Sequence, residues 1–226
     1  MSDDHDVPGT FRGVVRLFPL PNLVVFPHVI QPLHIFEPRY RQMMADALDD
    51  DRLLAMALLR PGWEEDYHQA PPIYPVVCVG RILQEERLAD GRYNLLLQGL
   101  ARARVVEELD TGKLYRSARV ELLSDVAAPP DLGAELRRQL GERMGRSFAG
   151  QGAALAQLRQ LLESPLPLGA LCDVFTFALP MGVEGKQRLL EEPLAEERAR
   201  RLLAHLEETA GAEEGRHPFP PGFSAN

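Results

Sequence analysis

The sequence predicts an α+β protein, with a sheet-rich first half and a helical second half. Three observations predict it. Aliphatic runs broken by prolines at 19, 21, 27, 32 and 38 fill LFPLPNLVVFPHVIQPLHIFEPRYRQMM, residues 17–44. Two long strand-like runs flank Ala89-Asp90-Gly91, and Asp-Gly in that setting signals a hairpin. After SDVAAPPD, residues 124–131, the apolar spacing turns from alternation to the three-and-four spacing of helices.

The elements follow in order. VVRLFPL reads as a strand that stops at Pro19–Pro21, with Asn22 in the turn. LVVF is cut off by Pro27 and His28. VIQPLHIF is extended, and Pro32, which has no N–H for a ladder, confines it to an edge or a bulge. Glu37-Pro38 opens a helix, because proline suits the first helical position. Tyr40, Met43, Met44, Ala47 and Leu48 form one apolar face of that helix, and Asp49–Asp51 end it. RLLAMALL is a buried strand. Residues 60–75 are a polar, proline-containing loop with the single tryptophan, Trp63. VVCVGRILQEERL and RYNLLLQGLARARVVEEL pair across Asp90-Gly91. Ala101, Ala103 and Val105 alternate with Arg102 and Arg104, which predicts one buried and one wet face. Residues 13–123 thus read as about six or seven strands and one helix, with prolines and Gly80 at the corners of a small closed barrel.

Residues 131–148 and 153–163 carry helical spacing, as two helices or one helix broken near GRSFAGQG. Ser164-Pro165 is expected to cap the nearly all-apolar helix at Leu168–Leu179. Val183–Glu192 is a short helix, and Pro193 opens the last one. There Ala195, Ala199, Leu202 and Leu206 form the apolar stripe, and Glu196–Arg200 and Glu197–Arg201 stand as wet i,i+4 pairs. The expected organisation is a flexible terminus at 1–12, a barrel at 13–124, a helical part at 125–210 and a flexible Pro/Gly-rich tail at 211–226 in which Phe219 and Phe223 are the residues that could dock.

Composition narrows the function. The formal charge is −8. Residues 1–124 hold 18 acids and 14 bases and residues 125–226 hold 15 and 11, so each half carries −4. Such a field disfavours nucleic acid and anionic membranes. Cys78 and Cys172 sit in apolar runs and read as buried free thiols. MSDDHDVPGT is unlike a secretory signal, and no apolar run is long enough for a membrane span, so a cytoplasmic location is expected.

No catalytic constellation emerges. Gly112-Lys113 and Gly185-Lys186 do not fit a phosphate loop, and Gly145–Gly150 lacks the spacing of a nucleophile elbow. His28 and His34 are six apart with no paired cysteine, so no metal site is expected; His34 reads as a half-buried histidine bonded to backbone. Adjacent acids such as Glu85-Glu86 and Glu107-Glu108 point to opposite strand faces. Arg92, Arg102, Arg104, Arg116 and Arg119 read as a solvated face balanced by Glu107, Glu108 and Glu121.

The proline-rich opening resembles the start of the N-terminal substrate-binding domain of Lon proteases. Two further blocks agree in order: IYPVVCVGRILQEERLADGRYNLLLQGLARARV, with its "GL-x-R" end, and LESPLPLGALCDVFTFALPMGVEGKQRLLEEPLAEERARRLL. The resemblance spans roughly residues 13–207. It implies a PUA-like β-barrel followed by a C-terminal α-helical bundle, and a free-standing form of the domain without the ATPase and protease that follow it in Lon. PLHIFEPRY is characteristic of the stand-alone members.

The function expected from these readings is a non-catalytic polypeptide-binding module with no cofactor. It recognises apolar segments of unfolded or partly folded polypeptides by apolar burial plus backbone hydrogen bonds, with low sequence specificity, in a groove between barrel and bundle, as an adaptor to a separate protease. The expected contacts are Phe36, Arg39 and Tyr40 at the strand–helix junction and Trp63 on its loop. An RNA-binding PUA-like module and a small-ligand sensor are the alternatives.

Overall fold

The computed structural model describes residues 7–66, 69–147 and 152–210; of the stretches expected to be flexible, 1–6 of the terminus 1–12 and the tail 211–226 lie outside them, while Val7 and Phe11 pack against the core of the first unit. The fold is mixed α+β, with six strands and six α-helices among the described residues. Two units divide at Leu123/Ser124.

The first unit holds β1 (Val14–Leu20), β2 (Ile30–Ile35), α1 (Pro38–Leu48), β3 (Leu53–Leu58), β4 (Val76–Arg87), β5 (Tyr93–Leu109) and β6 (Ser117–Leu123). The strand order is β2-β5-β4-β3-β1-β6, and β5 also pairs with β6. The pairings β1–β3–β4–β5–β6–β1 therefore form a ring, with β2 attached outside it. β1 and β3 run parallel, with β2 and α1 between them in the chain, and the other pairs are antiparallel. Val15, Leu17, Leu53, Ala55, Val77, Val79, Leu100 and Ala118 belong to one buried cluster. Small Ala residues beside Val and Leu let the strands approach closely.

LVVF is not a strand. Val24, Val25 and Phe26 are buried in a loop that crosses β5 at Gly99. The Gly99 N–H donates to the Val29 carbonyl at 2.8 Å, and the His28 N–H donates to the Gly99 carbonyl at 2.9 Å. His28 takes a left-handed backbone there, φ 65. A Cβ on Gly99 would collide with the Phe26 carbonyl.

The Gly99–Val29 bond sets the phase of the β2–β5 ladder. Antiparallel residues alternate between turning N–H and C=O to the partner and turning them away. In the register Ile30↔Gln98 to Ile35↔Tyr93, Gln31, Leu33 and Ile35 face β5, and Ile30, Pro32 and His34 face the free edge. The missing N–H of Pro32 falls where β5 does not need it. Its carbonyl accepts from Gln31 Nε2 at 2.6 Å.

In α1, Tyr40, Met43, Met44 and Ala47 are buried, and Leu48 is only half-buried. The Phe18 and Tyr40 rings lie 4.5 Å apart and the Tyr40 hydroxyl donates to the Pro19 carbonyl at 3.3 Å, which ties α1 to β1. The arginine alternation is corrected at one position: Arg102 is 2% exposed. Arg102 stands opposite Cys78 on the face turned away from Val77 and Ala103, as alternation predicts, but that face is covered there, and Cys78 is 0% exposed. Arg92, Arg116 and Arg119 pair with Asp90, Glu108 and Glu107.

The second unit contains α2 (Pro130–Ser147), α3 (Gly152–Glu163), α4 (Leu168–Ala178), α5 (Val183–Leu190) and α6 (Ala195–Ala210). α6 packs on α2 and α4. Ser164 does not cap α4, whose N-cap is Pro167. Its hydroxyl instead donates back to Leu161 at 2.6 Å. Arg137 donates to the carbonyls of Leu162, Ser164 and Leu166 where α3 ends, satisfying acceptors that the helix leaves open. On α6, Glu197 pairs with Arg200, and Arg201 pairs with Glu192, in place of the expected Glu197–Arg201 pair.

Arg198 is fully buried and holds this unit together. It forks onto the Asp125 carboxylate, donates to the Glu192 carbonyl at 3.1 Å and lies 3.8 Å from the buried Asp173. Gly169 leaves room for it. Next to it Val126 bonds to Pro193 and Ala195. Cys78 and Cys172 are buried thiols, not joined in a disulfide.

Two outcomes follow from this packing. Gly99→Ala forces the crossing chain off β5, and chemical denaturation is expected to show a loss of about 3 kcal/mol. Burial lowers Lys186 to about 8, while its Nζ donates to the Phe177 carbonyl at 2.6 Å. The unfolded chain, with an ordinary lysine, binds the extra proton between about pH 8 and pH 10, so stability rises with pH across that window. Above it Tyr115, pushed up to about 12 by burial and its bond to Asp46, acts in the opposite direction. Lys186→Met removes the rise in pH-dependent denaturation.

Candidate functional site

The sheet extends beyond the ring as a three-stranded ribbon of β2, the first half of β5 and the second half of β4. Register places Pro32, Leu96 and Gln84 side by side, then His34, Asn94 and Glu86. The opposite face carries Leu33, Ile35, Leu95, Leu97 and Ile82, all buried. The outward face should be polar by alternation, yet it carries Ile30 at 52%, Phe36 at 45% and Leu83 at 43% exposure. Pro32 and Leu96 lie half-buried on it. Leu83 reaches this face because a bulge between Ile82 and Gln84 adds one residue to β4.

Beside the apolar side chains runs a polar chain. His34 Nδ1 lies 2.7 Å from Asn94 Oδ1, and Asn94 Nδ2 donates to Glu86 at 3.1 Å. Arg92 Nη1 is 3.3 Å from His34 Nε2, while Arg92 Nε donates to Asp90 at 2.7 Å. The His34 and Phe36 rings stack, with centroids 6.2 Å apart. His34 is half-buried as expected, but its partners in this cluster are side chains, not backbone.

The expected contact residues do not form one site. Phe36 stands on the ribbon face. Tyr40 is 4% exposed, bonded to Pro19 as described, and belongs to the core. The Arg39 guanidinium lies 4.6 Å from the Tyr40 ring centroid and pairs with Glu37 at 2.9 Å. Arg39 and Tyr40 line a cavity with Leu59, Gln69, Pro71 and Arg116, but its volume is about 10 Å³, the size of one water. Trp63 is half-buried in the single 3-10 turn Trp63–Asp66, on the loop between β3 and β4. Met43 and Met44 are core residues, 0% exposed.

Ile30 and Leu83 were missed by sequence reasoning. A signal for Ile30 was present, since Ile30, Pro32, His34 and Phe36 alternate with the buried Gln31, Leu33 and Ile35. Leu83 had none, because alternation fails at a bulge. Among the described residues, no group of three or more His, Cys, Asp or Glu is placed to hold a metal ion, and no helix is long and apolar enough to cross a membrane.

Phe36→Ala is expected to leave the denaturation midpoint almost unchanged, since a half-exposed ring contributes little to the core. Tyr40→Ala should cost about 3–5 kcal/mol. The same denaturation series compares the two.

The comparisons with known proteins agree on family and fold. Residues 14–208 match the model of the ATP-dependent protease La (LON) substrate-binding domain. The Lon protease of Anaeromyxobacter dehalogenans is 28% identical over 83% of this chain, and that of Trichlorobacter lovleyi 30% over 79%. The matched region is 22% of each relative, so the chain spans about a quarter of the length of these proteases. The Lon N-terminal domain protein from Xanthomonas campestris superposes with a TM-score of 0.60 at 24% identity, over 84% of this chain and 97% of that one. The N-terminal domain of Mycobacterium avium complex Lon protease gives 0.68 at 18%, over 86% and 98%. This chain belongs to the family of the ATP-dependent protease La (LON) substrate-binding domain.

Proposed function

We propose that the protein is a non-catalytic polypeptide-binding module that recognises apolar segments of unfolded or partly folded chains and presents them to a separate protease. One observation carries this reading: Ile30, Phe36 and Leu83 are exposed along the ribbon, with Pro32 and Leu96 half-buried on it. Exposed apolar side chains that line one surface mark an interaction site. The family supports a polypeptide as the occupant. Burial of side chains, without base or phosphate contacts, is the mechanism, and low sequence specificity follows from it.

We read the ring of pairings from β1 through β6 as a small barrel of PUA-like type, with the second unit as its helical bundle and the division near residue 124. Trp63 and Arg39 are secondary contacts in this reading. The RNA alternative loses its support in the arginine face: Arg92, Arg116 and Arg119 have acidic partners and Arg102 is buried.

The test is a fluorescence anisotropy titration with a labelled, reduced and alkylated polypeptide at low and high salt. Saturable binding that varies little with salt is expected, whereas phosphate-type contacts weaken steeply. Ile30→Ser with Phe36→Ser should weaken binding about tenfold or more, and Trp63→Ala should weaken it without lowering thermal stability. Wild-type affinity retained in the double variant would refute the ribbon face as the site.

A further inference from the structure

We propose that His34 is a positioning residue of the ribbon face: a neutral imidazole, with its hydrogen on Nδ1, that fixes the Phe36 ring for contact with a bound chain. The inference rests on the polypeptide-binding reading above and deepens it.

Hydrogen-bond chemistry sets the tautomer. A guanidinium has only donors, so His34 Nε2, 3.3 Å from Arg92 Nη1, must accept. The ring hydrogen then sits on Nδ1 and is donated to Asn94 Oδ1 at 2.7 Å. The Asn94 amide group is oriented by its bond to Glu86 at 3.1 Å, which leaves Oδ1 facing the imidazole. Arg92 is held in turn by Asp90, through its backbone N–H at 3.1 Å and its Nε at 2.7 Å. The chain of bonds reaches β2, β5, β4 and the hairpin turn, so the ring orientation is determined from three strands. Phe36 stacks on that ring with 26° between planes. A side chain 45% exposed has few core contacts to orient it, and the imidazole supplies a flat support.

Protonation breaks this arrangement. A proton on Nε2 would aim N–H at N–H and set a second positive charge against Arg92. The charged groups of the cluster are Arg92, Asp90 and Glu86; Glu37, next to Phe36, is turned onto Arg39. Asp90 is already engaged by Arg92 and Glu86 by Asn94, so neither is placed to take the new N–H. Only the neutral ring, with its hydrogen on Nδ1, makes both the Asn94 and the Arg92 bond.

Two readouts test this, and only one involves a ligand. Nitrogen-15 NMR of the His34 ring at neutral pH is expected to show the Nδ1–H tautomer, with His34–Phe36 ring contacts that disappear in Asn94→Ala. An Nε2–H tautomer, or ring contacts unchanged in Asn94→Ala, overturns the proposal. In anisotropy titrations with the labelled, alkylated polypeptide, Asn94→Ala should lose about threefold to tenfold in affinity, with no further loss in a Phe36→Ala background. His34→Phe keeps the flat support and should bind like wild type. Equal losses from Asn94→Ala with and without Phe36, or a loss in His34→Phe as large as in Asn94→Ala, overturn the positioning role. Failure of the wild type to bind refutes the polypeptide-binding reading instead, and the NMR result then decides the His34 arrangement by itself.

Discussion

A single hydrogen atom in place of a side chain on residue 99 decides how the first unit is assembled. β5 is 17 residues long and bonds to three other strands, with β4 along most of its length, β2 on its first half and β6 on its second. The change of partner from β2 to β6 happens around Gly99. There the segment Phe26–Val29 lies directly on the backbone of β5. Any side chain would lift that segment away, and β2 would have no register on β5. The ribbon, its apolar face and the His34 cluster all depend on that approach.

Two compensations surround the crossing. The left-handed His28 inserts an extra residue opposite Gly99, which brings β2 into the phase in which Pro32 does no harm to the ladder. The bulge at Leu83 on the neighbouring strand adds a residue and turns an aliphatic side chain to water. Bulges placed next to a working surface re-aim side chains without changing the rest of the sheet. The helical unit solves a different problem with a comparable device. Arg198 has no exposure at all, and its charge is tolerable only because Asp125 and Asp173 compensate it while Gly169 stays out of its way.

Much of the architecture was legible in the sequence because burial periodicity is a local property. The apolar face of α1, the Asp90-Gly91 hairpin, the edge position of the Pro32 strand and the helical character of the chain after residue 130 all came from spacing and turn chemistry. What was not legible depends on the third dimension. Arg102 looked wet because alternation gives a side chain its face of the sheet but not what covers that face. Ser164 looked like a cap because its neighbour is a proline, but the α3 carbonyls it serves lie behind it. Glu197 found Arg200 and not Arg201, since side-chain reach decides between i+3 and i+4 partners. Of the expected contact residues, Phe36 reached an exposed face and Tyr40 went into the core. They are four positions apart, and one lies at the end of a strand while the other lies inside a helix that packs on β1.

The outward-facing proline of β2 has one more consequence. A chain that recognises sticky polypeptides by adding them as a further strand would read out their backbone, register by register, and would be at risk of templating fibres from its own edge. Pro32, with its carbonyl already taken by Gln31, interrupts that edge at its midpoint. In the proposed reading, a polypeptide on the ribbon would be held through side chains and not along that edge, with no fixed register, and could shift along the face in small steps. Such a grip would suit a way station from which a chain is handed on.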